Sequence, residues 1–285
     1  MSLADFPRWF VLAFAIAFGM IWGSFLNVVI YRWPREESIV RPASHCGSCG
    51  APVKPYDNIP LLSYAILRGR CRSCGERFSL RYPAVELLTA LLFVAAYFVD
   101  GVGLRLVFDC VFLAMLVPLV FIDAEWHLLP NVITHPGLLF ALAARIVVPN
   151  LVGMRPEALG GAWVLGLASS PLWYVSLTGA AAGATFGGGL LYVLGVGYQL
   201  VCKREGMGLG DVSMMCMVGA YLGWQLTVVT ILIASVLGSV VGIAMARGRR
   251  IDEFRIPFGV FLGASAAVAL LAGPRLVAWY LGMYR

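Results

Sequence analysis

Charge is scarce in this chain. Of 285 residues, 13% are Asp, Glu, Lys or Arg, 60% are hydrophobic, and mean hydropathy is +0.85. A soluble globular domain carries about twice that share of charge, which excludes that class. No cleavable signal peptide is expected either. The apolar run 9–31 is too long for a signal core, lacks a strongly basic start, and ends on Arg32 rather than on small residues. The basic residues are not interleaved with aromatics as in nucleic-acid-binding modules, so no nucleic-acid partner is expected.

What is present is a series of apolar runs, most long enough to cross a hydrocarbon layer of about 30 Å. Eight spans are read, at roughly 9–31, 84–100, 104–122, 132–149, 178–201, 211–223, 225–246 and 257–281. The chain is therefore expected to be an all-α polytopic membrane protein with about eight transmembrane helices. The sixth span is short, so it starts deep, tilts, or breaks at Gly219 or Gly223. The stretch 150–177 is expected to be an external loop partly lying on the membrane, with Trp163 and Trp173 as interfacial anchors. Of 21 Lys and Arg, nine fall in 32–81, two at Lys203 and Arg204, and four in 247–255. With an external N-terminus, all three basic segments lie on the cytoplasmic side. Seven glycines crowd the span 178–201, and small residues at such spacing allow close helix contact in lipid.

Two carboxylates stand where apolar sequence meets polar sequence. Asp211 closes the run Gly206, Met207, Gly208, Leu209, Gly210, and Asp123 follows Phe121 and Ile122. An ionised carboxylate at the edge of hydrocarbon is costly, so each is a candidate functional group. Glycines such as Gly208 and Gly210 let a substrate backbone approach closely. The expected orientation puts both acids on the cytoplasmic face. A pair there can bracket a water and share a proton, one acting as base and the other as acid. The alternative is that both only cap helix ends near water.

Cys46 and Cys49 form one Cys-x2-Cys pair, and Cys71 and Cys74 a second, 21 residues on. Four thiolates on two tight knuckles fit a tetrahedral zinc ion. Two disulfides are the alternative, disfavoured in a reducing cytosol. A four-cysteine zinc is structural and leaves no open position for water, so the chemistry lies elsewhere. Cys110, Cys202 and Cys216 have no partner at ligand spacing and read as apolar filler.

With these residues in view, the chain resembles the bacterial type IV prepilin peptidases, bifunctional leader peptidases and N-methyltransferases of the Gly-x-Gly-Asp aspartic type. The matching segments run from Gly23, Ser24 and Asn27 through the four cysteines, Arg81 to Pro83 with Glu86, Asp123 with Leu129 and Pro130, and Gly206 to Asp211. The last is Ile256 to Gly259. The resemblance implies an enzyme of the bacterial inner membrane whose active site faces the cytoplasm. It implies cleavage of prepilin and pseudopilin leaders by Asp123 and Asp211, with Cys46, Cys49, Cys71 and Cys74 as zinc ligands. It further implies methylation of the new N-terminal amine with S-adenosylmethionine. No glycine-rich nucleotide fold is visible, so the sequence does not reveal a methyl-donor pocket. Two positions depart from the family pattern. Asn131 stands where an Asp is usual, and Ser213 where a Lys is usual; neither change removes an acid of the pair.

The implied organisation is a first transmembrane helix at 1–31, a cytoplasmic four-cysteine domain at 32–83, and a transmembrane peptidase domain at 84–285. Glu86 either contacts substrate or methyl donor, or is a helix-start acid favoured by the dipole. Asp109, near the outer end of its span, is expected to be interfacial, and His127 and His135 are expected to be loop or interface residues. The rival readings are a peptidase without methyltransferase activity, and a transporter that carries a zinc knuckle and couples ions through the aspartates.

Overall fold

The computed structural model describes residues 7–151, 171–203, 208–246 and 257–283, and among these there is no β-strand. Nine α-helices are described: α1 (Arg8–Arg32), α2 (Leu62–Ile66), α3 (Arg81–Asp100), α4 (Leu104–Trp126), α5 (Asn131–Val147), α6 (Leu172–Cys202), α7 (Leu209–Leu222), α8 (Trp224–Ala246) and α9 (Phe258–Gly282). Each expected span has its helix. Six are long and apolar enough to cross a membrane, while α5 and α7 are shorter. At 1.5 Å per residue, the 14 residues of α7 reach only about 21 Å. Gly223, at φ +80°, ends α7 and lets α8 begin at once.

Several boundaries correct the sequence reading. Residues 123–126, expected in a loop, are the last turn of α4. Nothing breaks the helix until His127, whose positive φ ends it while its amide still bonds the Asp123 carbonyl. Residues 172–177, expected in the external loop, open α6 directly after Pro171. The Ser176 hydroxyl donates to the Pro149 carbonyl there. Trp173 is thus helical, and Trp163 lies outside the described residues. Residues 81–83 belong to α3, because a proline in the first helical turn costs no internal hydrogen bond. Asp109, near the start of α4, is packed within the protein. It is buried, with Oδ2 3.6 Å from Arg105 Nε, and Arg105 also contacts Asp100 at 2.8 Å.

The chain divides into two compact units, Met1–Pro118 and Leu119–Arg285. In the first, α1 lies backbone to backbone on α3. A Cβ added at Gly19 would sit 2.6 Å from the Ala90 Cα, and one at Gly23 would sit 2.6 Å from the Glu86 Cα. With no hydrophobic drive between helices in lipid, such close backbone packing is what holds them together. In the second unit α7 is the central helix, its residues from Met217 to Leu222 wholly buried. Gly183 of α6 and Gly219 of α7 meet directly, each occupying the place a side chain on the other would need, and Gly187 packs on the Met215 carbonyl. Gly189 and Gly197 face open space, so only part of the glycine run serves this contact. On the other flank Phe140 of α5 stacks on Tyr221, and buried Arg145 donates to the Ala220 carbonyl.

Candidate active site

Asp123 sits in the last turn of α4, 6% exposed. Its Oδ2 accepts the Val260 N–H at 2.9 Å and also faces the Gly259 amide. The first amides of a helix have no partner within it, and its N-terminus attracts negative charge. The start of α9 is therefore a built-in anchor for this carboxylate. Gly259 is needed for the approach, since a Cβ there would stand 2.8 Å from Oδ2.

Asp211 lies in the first turn of α7, three residues after Gly208, the helix N-cap. Its side chain reaches back to the Gly208 amide, as the acid of a capping box does. Its other oxygen, Oδ1, is buried and has no hydrogen-bond partner. Gly210 is helical here, so it offers no extended edge. It makes room for Leu129, whose Cβ would stand 2.8 Å from a Cβ at position 210. Leu129 also touches the place of a Gly259 side chain, at 3.0 Å, and so wedges between the starts of α7 and α9. Glu205 to Met207 lie outside the described residues.

Asp123 and Asp211, 88 positions apart in the numbering, thus belong to one compact unit and lie within electrostatic reach of each other. Each is held by the start of a helix, and Asp211 keeps one oxygen unengaged. Two such carboxyls can activate a water and protonate a leaving amine without a covalent intermediate. The sequence offered no sign of the Val260 amide, because a backbone donor leaves no side-chain signature. Gly259 stood within a matching motif but had no assigned role.

The cysteines lie in unit 1, on two loops of one design. Cys46 N–H bonds the Ala51 carbonyl, and Gly50 N–H bonds Cys46. Cys71 N–H bonds Glu76, and Gly75 N–H bonds Cys71. Gly50 and Gly75 both take positive φ at the turn. The four Sγ atoms lie within 4.8 Å of one another, and Cys46 and Cys74 are 3.8 Å apart. That matches the edge, about 3.8 Å, of a tetrahedron with zinc–sulfur bonds of about 2.3 Å, and is far from a disulfide at about 2.05 Å. No disulfide joins the four in this structure, and the donor set fits zinc. Backbone amides of Cys49 and Ser48 draw the Cys46 thiol down to about 6. The Glu76 amide acts likewise on Cys74, but burial and the three nearby sulfurs outweigh it and push that thiol up to about 12. A divalent cation at the centre relieves this crowding by favouring all four thiolates.

Glu86 is also in unit 1, one turn into α3 and 8% exposed. Its Oε2 accepts the Leu61 N–H at 2.8 Å, so the acid ties the cysteine insert to the membrane helix.

Fold and sites together define a multi-pass membrane protein with two neighbouring buried carboxyls and a four-cysteine cluster that could hold a metal ion. Residues 17–99 match the bacterial peptidase A24 N-terminal domain, and residues 110–243 match the type IV leader peptidase family. The prepilin leader peptidase/N-methyltransferase of Myxococcus xanthus (strain DK1622) is 41% identical over 254 residues, covering 87% of this chain and 69% of that protein. Proteins of the same name from Aeromonas hydrophila and Pseudomonas aeruginosa are each 35% identical, covering 99% and 98% of this chain and 97% and 96% of their own lengths. The chain belongs to the type IV leader peptidase family. No solved structure gives a significant match.

Proposed function

We propose that this protein removes the leader from type IV prepilins and pseudopilins at the cytoplasmic face of the bacterial inner membrane and then N-methylates the new terminus. The observation that carries cleavage is the convergence of Asp123 and Asp211 at the starts of α9 and α7. One carboxylate takes a proton from water as its oxygen attacks the scissile carbonyl. The other, protonated, hydrogen-bonds that carbonyl and then passes its proton to the departing amine. The proton belongs to the pair, so acid and base are not assigned separately. The Val260 and Gly259 amides hold Asp123 in place. Ser213, one residue beyond Val212 in α7, and Asn131, at the exposed start of α5, leave the pair intact.

The four-cysteine metal is structural and carries no reacting water. A short insert has little core of its own, and zinc would supply much of its folding free energy. S-adenosylmethionine supplies the methyl group when bound.

Purified protein is incubated with a prepilin and S-adenosylmethionine, and products are weighed by mass spectrometry. The expected product lacks the leader and carries one added methyl. Leader loss alone supports a peptidase without methylation. An intact prepilin with substrate-dependent proton flux supports the transporter and refutes the proposal.

A further inference from the structure

The cysteine insert of unit 1 carries an exposed apolar face beside the start of α3. The five residues of α2 include no charge, and its outward side is Leu62, Ala65 and Ile66. Ser63 turns inward, where its hydroxyl donates to the Tyr56 carbonyl. Ile66 is 66% exposed, and Ile59, just before α2, is exposed as well. Apolar residues exposed singly need no explanation, but a contiguous set does.

Two observations say what covers this face. The first is continuity. The Leu61 amide bonds Glu86, and the Tyr64 hydroxyl donates to the Phe78 carbonyl at 3.2 Å, so α2 is fastened beside the start of α3. Leu80, the N-cap of that helix, is 74% exposed. Ala84, Leu87 and Leu91 follow it on the same side at helical spacing, all of them exposed. α3 is long and apolar enough to cross a membrane, so this side faces acyl chains, and Leu80 carries it up to the insert. The second is charge. Residues 32–81 hold nine Lys and Arg against four Asp and Glu. Arg68 stands two residues past α2, and Arg77 lies across from Arg70 in the second cysteine loop, both exposed.

We infer that the insert lies on the cytoplasmic leaflet, with Ile59, Leu62, Ile66 and Leu80 set into the boundary between headgroups and acyl chains, and Arg68 and Arg77 on anionic phospholipid headgroups. The inference rests on α1 and α3 crossing the membrane and on the orientation proposed above, not on catalysis. Such binding adds apolar burial to attraction for anionic lipid, and long arginine side chains reach headgroups while their stems stay in apolar surroundings. An acidic protein partner would answer the arginines. It would not account for an apolar face that runs on into a lipid-facing helix. Held there, the insert stands at the surface where a prepilin emerges from the bilayer.

The test uses the full chain in vesicles of phosphatidylcholine, alone or with about one third phosphatidylglycerol. A benzophenone amino acid replaces Ile66, Leu80 or, as a reference inside the span, Leu91. After ultraviolet irradiation the adducts are identified by mass spectrometry. Lipid adducts are expected at all three positions. At Ile66 the yield should rise at least about threefold with phosphatidylglycerol, and Arg68→Gln with Arg77→Gln should erase that rise. Lipid adducts at Leu91 with only protein adducts, or none, at Ile66 and Leu80 overturn the inference. A protein adduct then identifies the surface that covers the face, whether a second copy or residues 119–283. Equal yields at Ile66 in the two vesicle types overturn the assignment to anionic headgroups. Hydrogen exchange of the unsubstituted chain needs no variant: amides 61–67 should exchange more slowly in the anionic vesicles, and equal rates count against the inference. Leader cleavage enters neither measurement, so a failure here is distinct from a failure of the peptidase reading.

Discussion

The amide of Val260 donates a 2.9 Å hydrogen bond to Asp123 Oδ2 across 137 positions of sequence. A helix start from the C-terminal part of the chain thus holds an acid presented by the end of α4. If the pair works as proposed, Val260→Pro removes this donor while a first-turn proline leaves α9 intact. Leader cleavage should fall about tenfold in kcat with little change in KM, measured on a synthetic prepilin. An unchanged kcat would show that the anchor is dispensable.

Gly259 admits the same carboxylate. In Gly259→Ala the new methyl meets Oδ2 at 2.8 Å and Leu129 Cδ1 at 3.0 Å, so one of them must move. Cleavage should drop, and Gly259→Val should lower it further. Equal rates for both variants and wild type would contradict the geometry.

Asp123→Asn and Asp211→Asn each keep the shape of the side chain and remove the titrating proton. Cleavage should fall by about 10²–10⁴-fold in each, with membrane content unchanged. The double variant should lose little more than either single one, because the two act as a unit.

One metal per chain is expected by elemental analysis of the purified protein, zinc being the ion that fits the four sulfurs. Chelation should release it, expose four reactive thiols, and open the insert to trypsin at Arg68, Arg70, Arg72 and Arg77. Cys46→Ser with Cys74→Ser should abolish metal retention. Persistent metal in that variant would place the ion elsewhere.

The insert should also weaken in acid through one surface pair. Arg72 contacts Asp57 at 2.6 Å and holds its carboxyl below the usual range. A lowered folded value contributes stability above the unfolded pKa of about 3.9 and loses it as pH falls through the folded one. Asp57→Asn should flatten the acid limb of insert unfolding below about pH 4, by a small amount because Arg72 is half exposed.

Much of this was legible in the sequence, for identifiable reasons. Apolar run length reports helices directly, and the eight spans each found one. The thiol pairs report a cluster that could hold a metal, because knuckle spacing fixes where four sulfurs fall. What stayed hidden depends on contacts made through the backbone. The Val260 amide leaves no trace in residue type, and nothing in the glycine run announced that Gly210 packs on Leu129. That Asp109 is packed within the protein beside Arg105, four residues away, depends on neighbouring helices the sequence does not name. Glu86 read as a helix-start acid or a ligand contact, and its hydrogen bond from the Leu61 amide had no signal in residue type.

Gly19 and Gly23 press α1 directly onto the main chain at Ala90 and Glu86. Helices meshed at that distance cannot slide by a residue without collision, so Asn27 and Glu86 keep their spacing whether or not anything lies between them. The insert, tied to Glu86 through the Leu61 amide, therefore hangs from a fixed frame. Larger residues at either glycine should therefore part α1 from α3 and unsettle the cysteine loops from a distance.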